Sequence, residues 1–245
     1  DGDADTFLST NVSGTNTMLE AARIASVPLL HCSTDQVYGS VEAPDRFTEE
    51  SALRPVSLYD VSKASADLLC LAASADRQQE VVITRSSRNY GPRPAAGDFI
   101  ATLVSGALHD EALTLTGGEQ RIHDWIHVDD HCRGMITAFT RGPSGNIFNF
   151  AGKCERTDLG IARSILSLFG KPESLLKSGH RHSGQPRRSS VDSGKAVRYF
   201  GWTPKCQFQT AFPAVVRELA ADFTSGPIDS STSRWAPPRI RVEPS

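Results

Sequence analysis

Helical and extended patterns alternate along the first third of the chain, and that alternation limits the fold more than any other feature. Residues 5–26 (DTFLSTNVSGTNTMLEAARIAS) space Phe7, Leu8, Val12, Met18, Leu19, Ala22 and Ile24 as one apolar helical face. Gly14 interrupts that run and predicts close packing against a neighbour. Val27–Cys32 then reads as a short buried strand, with Cys32 as a small core residue, and Glu80–Thr84 as a second strand. Strands separated by helices pair in parallel, so the chain is expected to be α/β with a doubly wound sheet. Ligands of such sheets sit at the carboxyl ends of the strands. Here those ends are Ser33–Gln36 and Ser86–Tyr90.

The chemistry concentrates between His31 and Lys63. Tyr59 and Lys63 are one helical turn apart, so on a helix they share a face. An ammonium beside a phenol stabilises phenolate, which predicts a Tyr59 pKa drawn down toward neutrality. A tuned phenol facing Thr34 and Asp35 suits general acid–base work on a hydroxyl. Each feature also has a plainer reading: a surface Tyr–Lys pair, and a strand-end cap for Thr34.

Composition narrows the class. The chain has 245 residues, 39% hydrophobic and 22% charged, as in a globular protein with a substantial core. A net charge of −2 argues neither for nucleic acid nor for a membrane surface as a bulk partner, and neither is expected. No apolar run reaches membrane-spanning length and no leader pattern precedes the first helix. Five scattered cysteines without a C-x-x-C pair predict a reduced, cytoplasmic setting.

Downstream, RNYGPRPAAG (88–97) reads as a Pro/Gly-rich loop. A helix is expected over Asp98–His109, a strand over Ala112–Thr116 and a turn at Gly117-Gly118. Trp125–Val128 leads into a helix opened by Asp129-Asp130, whose charge suits a helix N-terminus. A strand at Asn146–Ala151 and helices at Asp158–Phe169, Gly194–Phe200 and Ala211–Phe223 complete the pattern. Ser178–Ser190 is basic, and residues 225–245 are Pro/Ser-rich without periodicity, the composition of a disordered tail. His123, His127 and His131 have helical spacing but straddle a strand–helix junction, so no metal site is expected.

The succession STD-Q-VYG, PVSLYDVSKASAD, RSSRNYGP, DWIHVDDH and FGWTPK, spread over residues 1–222, resembles the extended short-chain dehydrogenase/reductases. Within that superfamily it is most similar to the NAD-dependent epimerase/dehydratase group, especially sugar-nucleotide 4,6-dehydratases of the dTDP-glucose type. The resemblance implies a Rossmann-like sheet with NAD as cofactor and a nucleotide-diphosphate sugar as partner. It implies Tyr59 as the group taking the sugar O4 proton, with Lys63 lowering its pKa and binding the nicotinamide ribose. Thr34 would hold the reacting oxygen, and Ser33 and Asn11 would lie on the cofactor side. Asp35 would act as acid on the C6 hydroxyl. Gln36 stands where a glutamate base is expected, and an amide cannot serve as that base. Arg88, Asn89, His123, Arg187 and Arg188 would face the substrate. Three positions depart from the pattern: Arg88 replaces Asn, Asp98 replaces a frequent Lys, and His123 replaces Arg.

The glycine-rich turn that opens dinucleotide domains occurs nowhere in the chain. The expectation is therefore an N-terminally truncated Rossmann domain (1–88), a small C-terminal α+β substrate lobe with returns to the sheet (89–224), and the tail. Dehydratase, 4-epimerase and truncated non-catalytic sugar-nucleotide binder all stay open. The resemblance also implies a homodimer through the Tyr–Lys helix, with Leu68, Leu69 and Leu71 as contacts.

Overall fold

The computed structural model describes residues 4–95, 97–115, 118–179 and 187–224. Gly117, the His180–Pro186 part of the basic segment and the 225–245 tail lie outside them. The amino-terminal helical region divides into α1 (Ala4–Phe7), a π-helical segment (Leu8–Ser13) and α2 (Gly14–Ala25). Gly14 does not mark a tight approach: a Cβ there would meet only the Ser9 carbonyl, at 3.6 Å. Within α2 only Leu19 and Ala22 are buried, whereas Met18 and Ile24, read as core positions, are 58% and 71% exposed.

The central layer contains β1 (Leu29–Thr34), β2 (Val81–Ser86) and, later in the chain, β6 (Ile147–Phe150). They pair in parallel in the order β1-β2-β6, with Thr34 opposite Ser86. Alternation along β2 decides which helices it meets. Val81 and Ile83 pack with Leu19 of α2 and with Cys70 and Ala73 of α3 (Leu58–Arg77). Val82 points the other way, to Ala138 of α5 (Val128–Arg141) and to Phe148, Phe150 and Trp202. The sheet is thus covered on both faces, the arrangement that parallel strands require. Each fully buried large side chain here contributes roughly 1.5–3 kcal/mol.

The rest of the chain builds over the strand ends. Arg88–Tyr90 is a strand, β3, although its Pro/Gly-rich surroundings read as loop; it pairs with β5 (Ile122–His127). β5 also carries β7 (Glu155–Thr157) and β9 (Arg188–Ser189), while β4 (Leu113–Leu115) pairs with β8 (Leu176–Ser178). Helices α4 (Phe99–Leu108), α6 (Asp158–Phe169) and α8 (Phe208–Thr224) enclose a core around Trp125, Leu115, Ile165, Phe212 and Val216. A short α7 (Gly194–Phe200) follows β9. The bounds of α6 and α7 coincide with those read from sequence.

On α3, Leu68 is 56% exposed, but Leu69 and Leu71 pack against the core cluster of Val81 and Ile83. Among the described residues no helix is long and apolar enough to cross a membrane.

Candidate active site

Two local devices place the reactive groups. The first ends β1: the Thr34 hydroxyl accepts a hydrogen bond from the Gln36 amide (3.3 Å), capping a 3₁₀ turn over Asp35–Tyr38. Gly39 closes that turn at φ 88°, where a Cβ would stand 2.5 Å from the Arg54 carbonyl oxygen. The second starts α3, where Ser57 and Asp60 form a capping box, each side chain accepting from the other's backbone N–H at 3.1 Å. Tyr59 follows in the first helical turn, and Lys63 lies one turn on.

These devices meet in one cleft of about 390 Å³. Ser33, Thr34, Asp35, Gln36, Tyr59 and Lys63 line it, with Arg88, Asn89 and His123 among the other wall residues. Cys32 also lines it and is exposed, because its side chain faces the cleft instead of the core.

Burial pushes the Tyr59 phenol above its usual pKa, and the charges of Asp60, Cys32 and Asp35 push it further. Lys63 instead donates to the Cys32 carbonyl at 2.7 Å, anchoring α3 to β1. The lowering expected from a neighbouring ammonium is therefore not what the geometry gives: burial and the neighbouring acids all act to raise the phenol.

Asp35 is buried, and its carboxyl is raised to about 6. Desolvation is the main cause, and Asp124 adds to it. Two donors oppose the rise: the Ser189 hydroxyl at 2.6 Å and the Thr34 hydroxyl at 3.3 Å. Thr34 thus serves both as a cap and as a cleft residue. Replacing Ser189 with Ala removes a bond that favours the carboxylate, so Asp35 should then titrate above about 6. A carboxyl-carbon NMR titration checks this, and an unmoved midpoint would show that the bond has no hold on the acid.

Across the cleft, Asn89 donates to the Ser86 hydroxyl (3.1 Å) and the Ser87 carbonyl (3.3 Å). Its carbonyl oxygen therefore faces His131 Nδ1 at 2.9 Å. Burial draws His131 down to about 4. His123 is also neutral, held well below 6.5 by burial and by the charges of Arg88 and Arg121. His127 caps α5 by accepting from the Asp129 amide (3.2 Å), whereas His123 and His131 both line the cleft. Asp98 caps α4, accepting from the amides of Ile100 (2.9 Å) and Ala101 (3.1 Å).

Three expected site residues fall elsewhere. Asn11 donates to the Ser62 hydroxyl at 2.9 Å, tying the π segment to α3, and does not line the cleft. Arg188 is buried and committed: its guanidinium grips Glu155 at 2.8 and 2.7 Å and the Asp45 carbonyl at 2.7 Å. Those fixed partners take the donors a diphosphate clamp would offer. Arg187 is exposed, and neither arginine is part of the cleft wall. Sequence reading missed Ser189, and it named His131 only within a histidine triplet set aside as a metal site, not as a cleft residue. Nothing local marks Ser189, which lies 154 positions from the carboxyl it bonds.

Residues 2–151 match the description of the NAD dependent epimerase/dehydratase family. A dTDP-glucose 4,6-dehydratase of Actinoplanes sp. is 36% identical over 203 residues, covering 82% of this chain and 63% of that protein. The chain thus spans under two thirds of that relative's length. The solved dTDP-glucose 4,6-dehydratase of Streptomyces venezuelae, with NAD bound, superposes with a TM-score of 0.88 at 34% identity. That match covers 91% of this chain and 69% of the other. A Bacillus cereus UDP-glucuronic acid 4-epimerase, solved with UDP-glucuronic acid and NAD, gives 0.82 at 25% identity, covering 87% and 68%. With its fold, its motif order and this family match in agreement, the chain belongs to the NAD dependent epimerase/dehydratase family.

Proposed function

We propose that this protein oxidises the C4 hydroxyl of a nucleotide-diphosphate sugar with NAD, in the manner of the dTDP-glucose 4,6-dehydratases it resembles. One observation carries the reading: Tyr59, Lys63, Thr34 and Asp35 line a single cleft, and Asp35 keeps a carboxyl near pH 6. Residues 1–88 would serve the cofactor side and 89–224 the substrate side. The donor set suits the ribose–nicotinamide end of the cofactor. A phenol and an ammonium one helical turn apart share the wall with the Ser33 and Thr34 hydroxyls. Tyr59, Lys63 and Ser33 would hold NAD there, and its nicotinamide would supply the acceptor for the hydride leaving C4.

The protein's own groups do the rest. Tyr59 takes the O4 proton as the C4–H bond breaks. Thr34 serves O4 both as alcohol and as ketone, because a hydroxyl donates and accepts. Asp35, still protonated in part near neutrality, is placed to protonate the C6 hydroxyl. That group can leave as water only as a base takes the C5 proton and the C5–H electron pair closes the C5–C6 double bond; hydride returned to C6 then completes the sequence. A second copy of the chain is a proposed partner, through the exposed Leu58, Val61 and Leu68 of α3.

Gln36 favours a second reading. Elimination needs a base for the C5 proton, and an amide is not one. A 4-epimerase needs only C4 oxidation and return of hydride to the opposite face. Incubation with dTDP-glucose separates the two by product, a 4-keto-6-deoxy sugar or a 4-epimer. If dehydration is the reaction, Gln36→Glu should raise it by about 10²-fold or more. An unchanged rate in that variant would mean that position 36 was never limiting.

A further inference from the structure

We propose that Arg88 is the seat of a negatively charged oxygen group on the substrate, phosphoryl or carboxylate. The inference rests on reading the cleft as a nucleotide-sugar site and specifies which residue meets the ligand's charge. Arg88 lines the same cleft as Asp35 and Gln36. Its Nη1 lies 3.0 Å from His123 Nε2. Because that imidazole is neutral, it accepts the bond but offers no counter-charge. Phe99 and Trp125 pack their rings 4.9 and 5.0 Å from the guanidinium carbon. Among the described residues no carboxylate comes within ion-pair distance of Arg88; Asp158, Asp98 and Asp35 act on it only from farther away.

A guanidinium carries five donors, and a desolvated cation without a paired anion costs stability. Burial accordingly weakens the proton affinity of Arg88, and the nearby Arg121 is affected in the same direction. Arg188 shows the contrast, with the same side chain gripped by a carboxylate at two points. The planar fork of Arg88 suits phosphoryl and carboxylate oxygens alike. In a nucleotide sugar these are the diphosphate or, in a hexuronate, the C6 carboxylate. A neutral Gln36 repels neither.

The test uses the full chain and its Arg88→Met and Arg88→Lys variants, in thermal melts and calorimetric titrations. The ligands are a nucleoside diphosphate, a nucleotide hexose, a nucleotide hexuronate and inorganic pyrophosphate. Removing a cation without a counter-charge should raise the melting temperature of the ligand-free chain by about 2–4 °C. Arg88→Met should weaken binding by about 10–100-fold, with Arg88→Lys between it and the wild type. Loss with all nucleotides assigns the seat to the diphosphate; loss with the hexuronate alone assigns it to the sugar carboxylate. Nucleotide binding left intact in Arg88→Met overturns the seat and leaves the nucleotide-sugar reading standing, with Arg88 merely propping Phe99 and Trp125. Pyrophosphate binding that depends on Arg88, without nucleotide binding by the wild type, keeps the seat and overturns that reading. No binding of any of the four overturns both.

Discussion

Replacing Tyr59 with Phe should lower the rate of C4 oxidation by about 10²–10⁴-fold while leaving nucleotide-sugar affinity nearly unchanged. That range is what a positioned acid–base group supplies, and the ring that fills the space is kept. The aromatic body of Tyr59 meets Phe7 edge-on at 5.6 Å, a contact that phenylalanine preserves. The loss therefore belongs to the hydroxyl. Burial and three neighbouring acids hold that phenol above its ordinary pKa, so the phenolate is scarce at neutral pH. The oxidation step should keep accelerating as pH rises above neutrality instead of levelling there. Single-turnover absorbance of the reduced cofactor checks both points. A flat profile across that range, or a Tyr59→Phe variant within a few-fold of wild type, would place the proton on another group.

The second large effect is on stability. Asp67→Ala should cost about 3–5 kcal/mol, because it strands a charge inside the protein. Arg85 is 1% exposed and donates to Asp67 at 2.7 Å and to the Tyr38 hydroxyl at 2.7 Å. Tyr38 in turn donates to Asn149 at 3.0 Å. Asp67 lies on α3 one turn beyond Lys63, and Arg85 lies on β2, so this network sets the Tyr–Lys helix against the sheet. His31 and Arg85 together hold the Asp67 carboxyl below its usual range despite its burial. A depressed carboxyl stabilises the fold above the unfolded-state pKa, and that stability is lost as pH falls through the folded value. The deficit of Asp67→Ala in denaturant should thus be full at neutral pH and shrink in acid. A deficit independent of pH would mean that packing, not charge, is at stake. Replacing Asp67 and Arg85 together with apolar residues of similar volume should restore much of the loss.

What could be read in advance follows from how far each constraint reaches along the chain. Tyr59 and Lys63 were legible because a helix makes their relation local. Thr34 and Asp35 were legible because polar residues directly after an apolar run mark a strand end. The three-residue β3 was hidden by the prolines and glycines after it; its partner β5 begins more than thirty positions later, so no local pattern betrays it. Arg88 meeting His123 depends on that same pairing. Arg188 looked like a phosphate clamp because sequence shows its charge but not Glu155, 33 positions away, which occupies it. Met18 and Ile24 kept helical spacing yet face outward, since periodicity defines a stripe without fixing its width.

The short bond between Ser189 and Asp35 has one more consequence. The acid hangs from the strand layer, whereas its donor rides on β9, which is stitched to the upper sheet through β5. Proton affinity in the lower tier is therefore a gauge of how firmly the upper tier is seated. Whatever prises the tiers apart withdraws the donor but also admits water, and because burial is the larger influence the carboxyl then gives up its proton more readily.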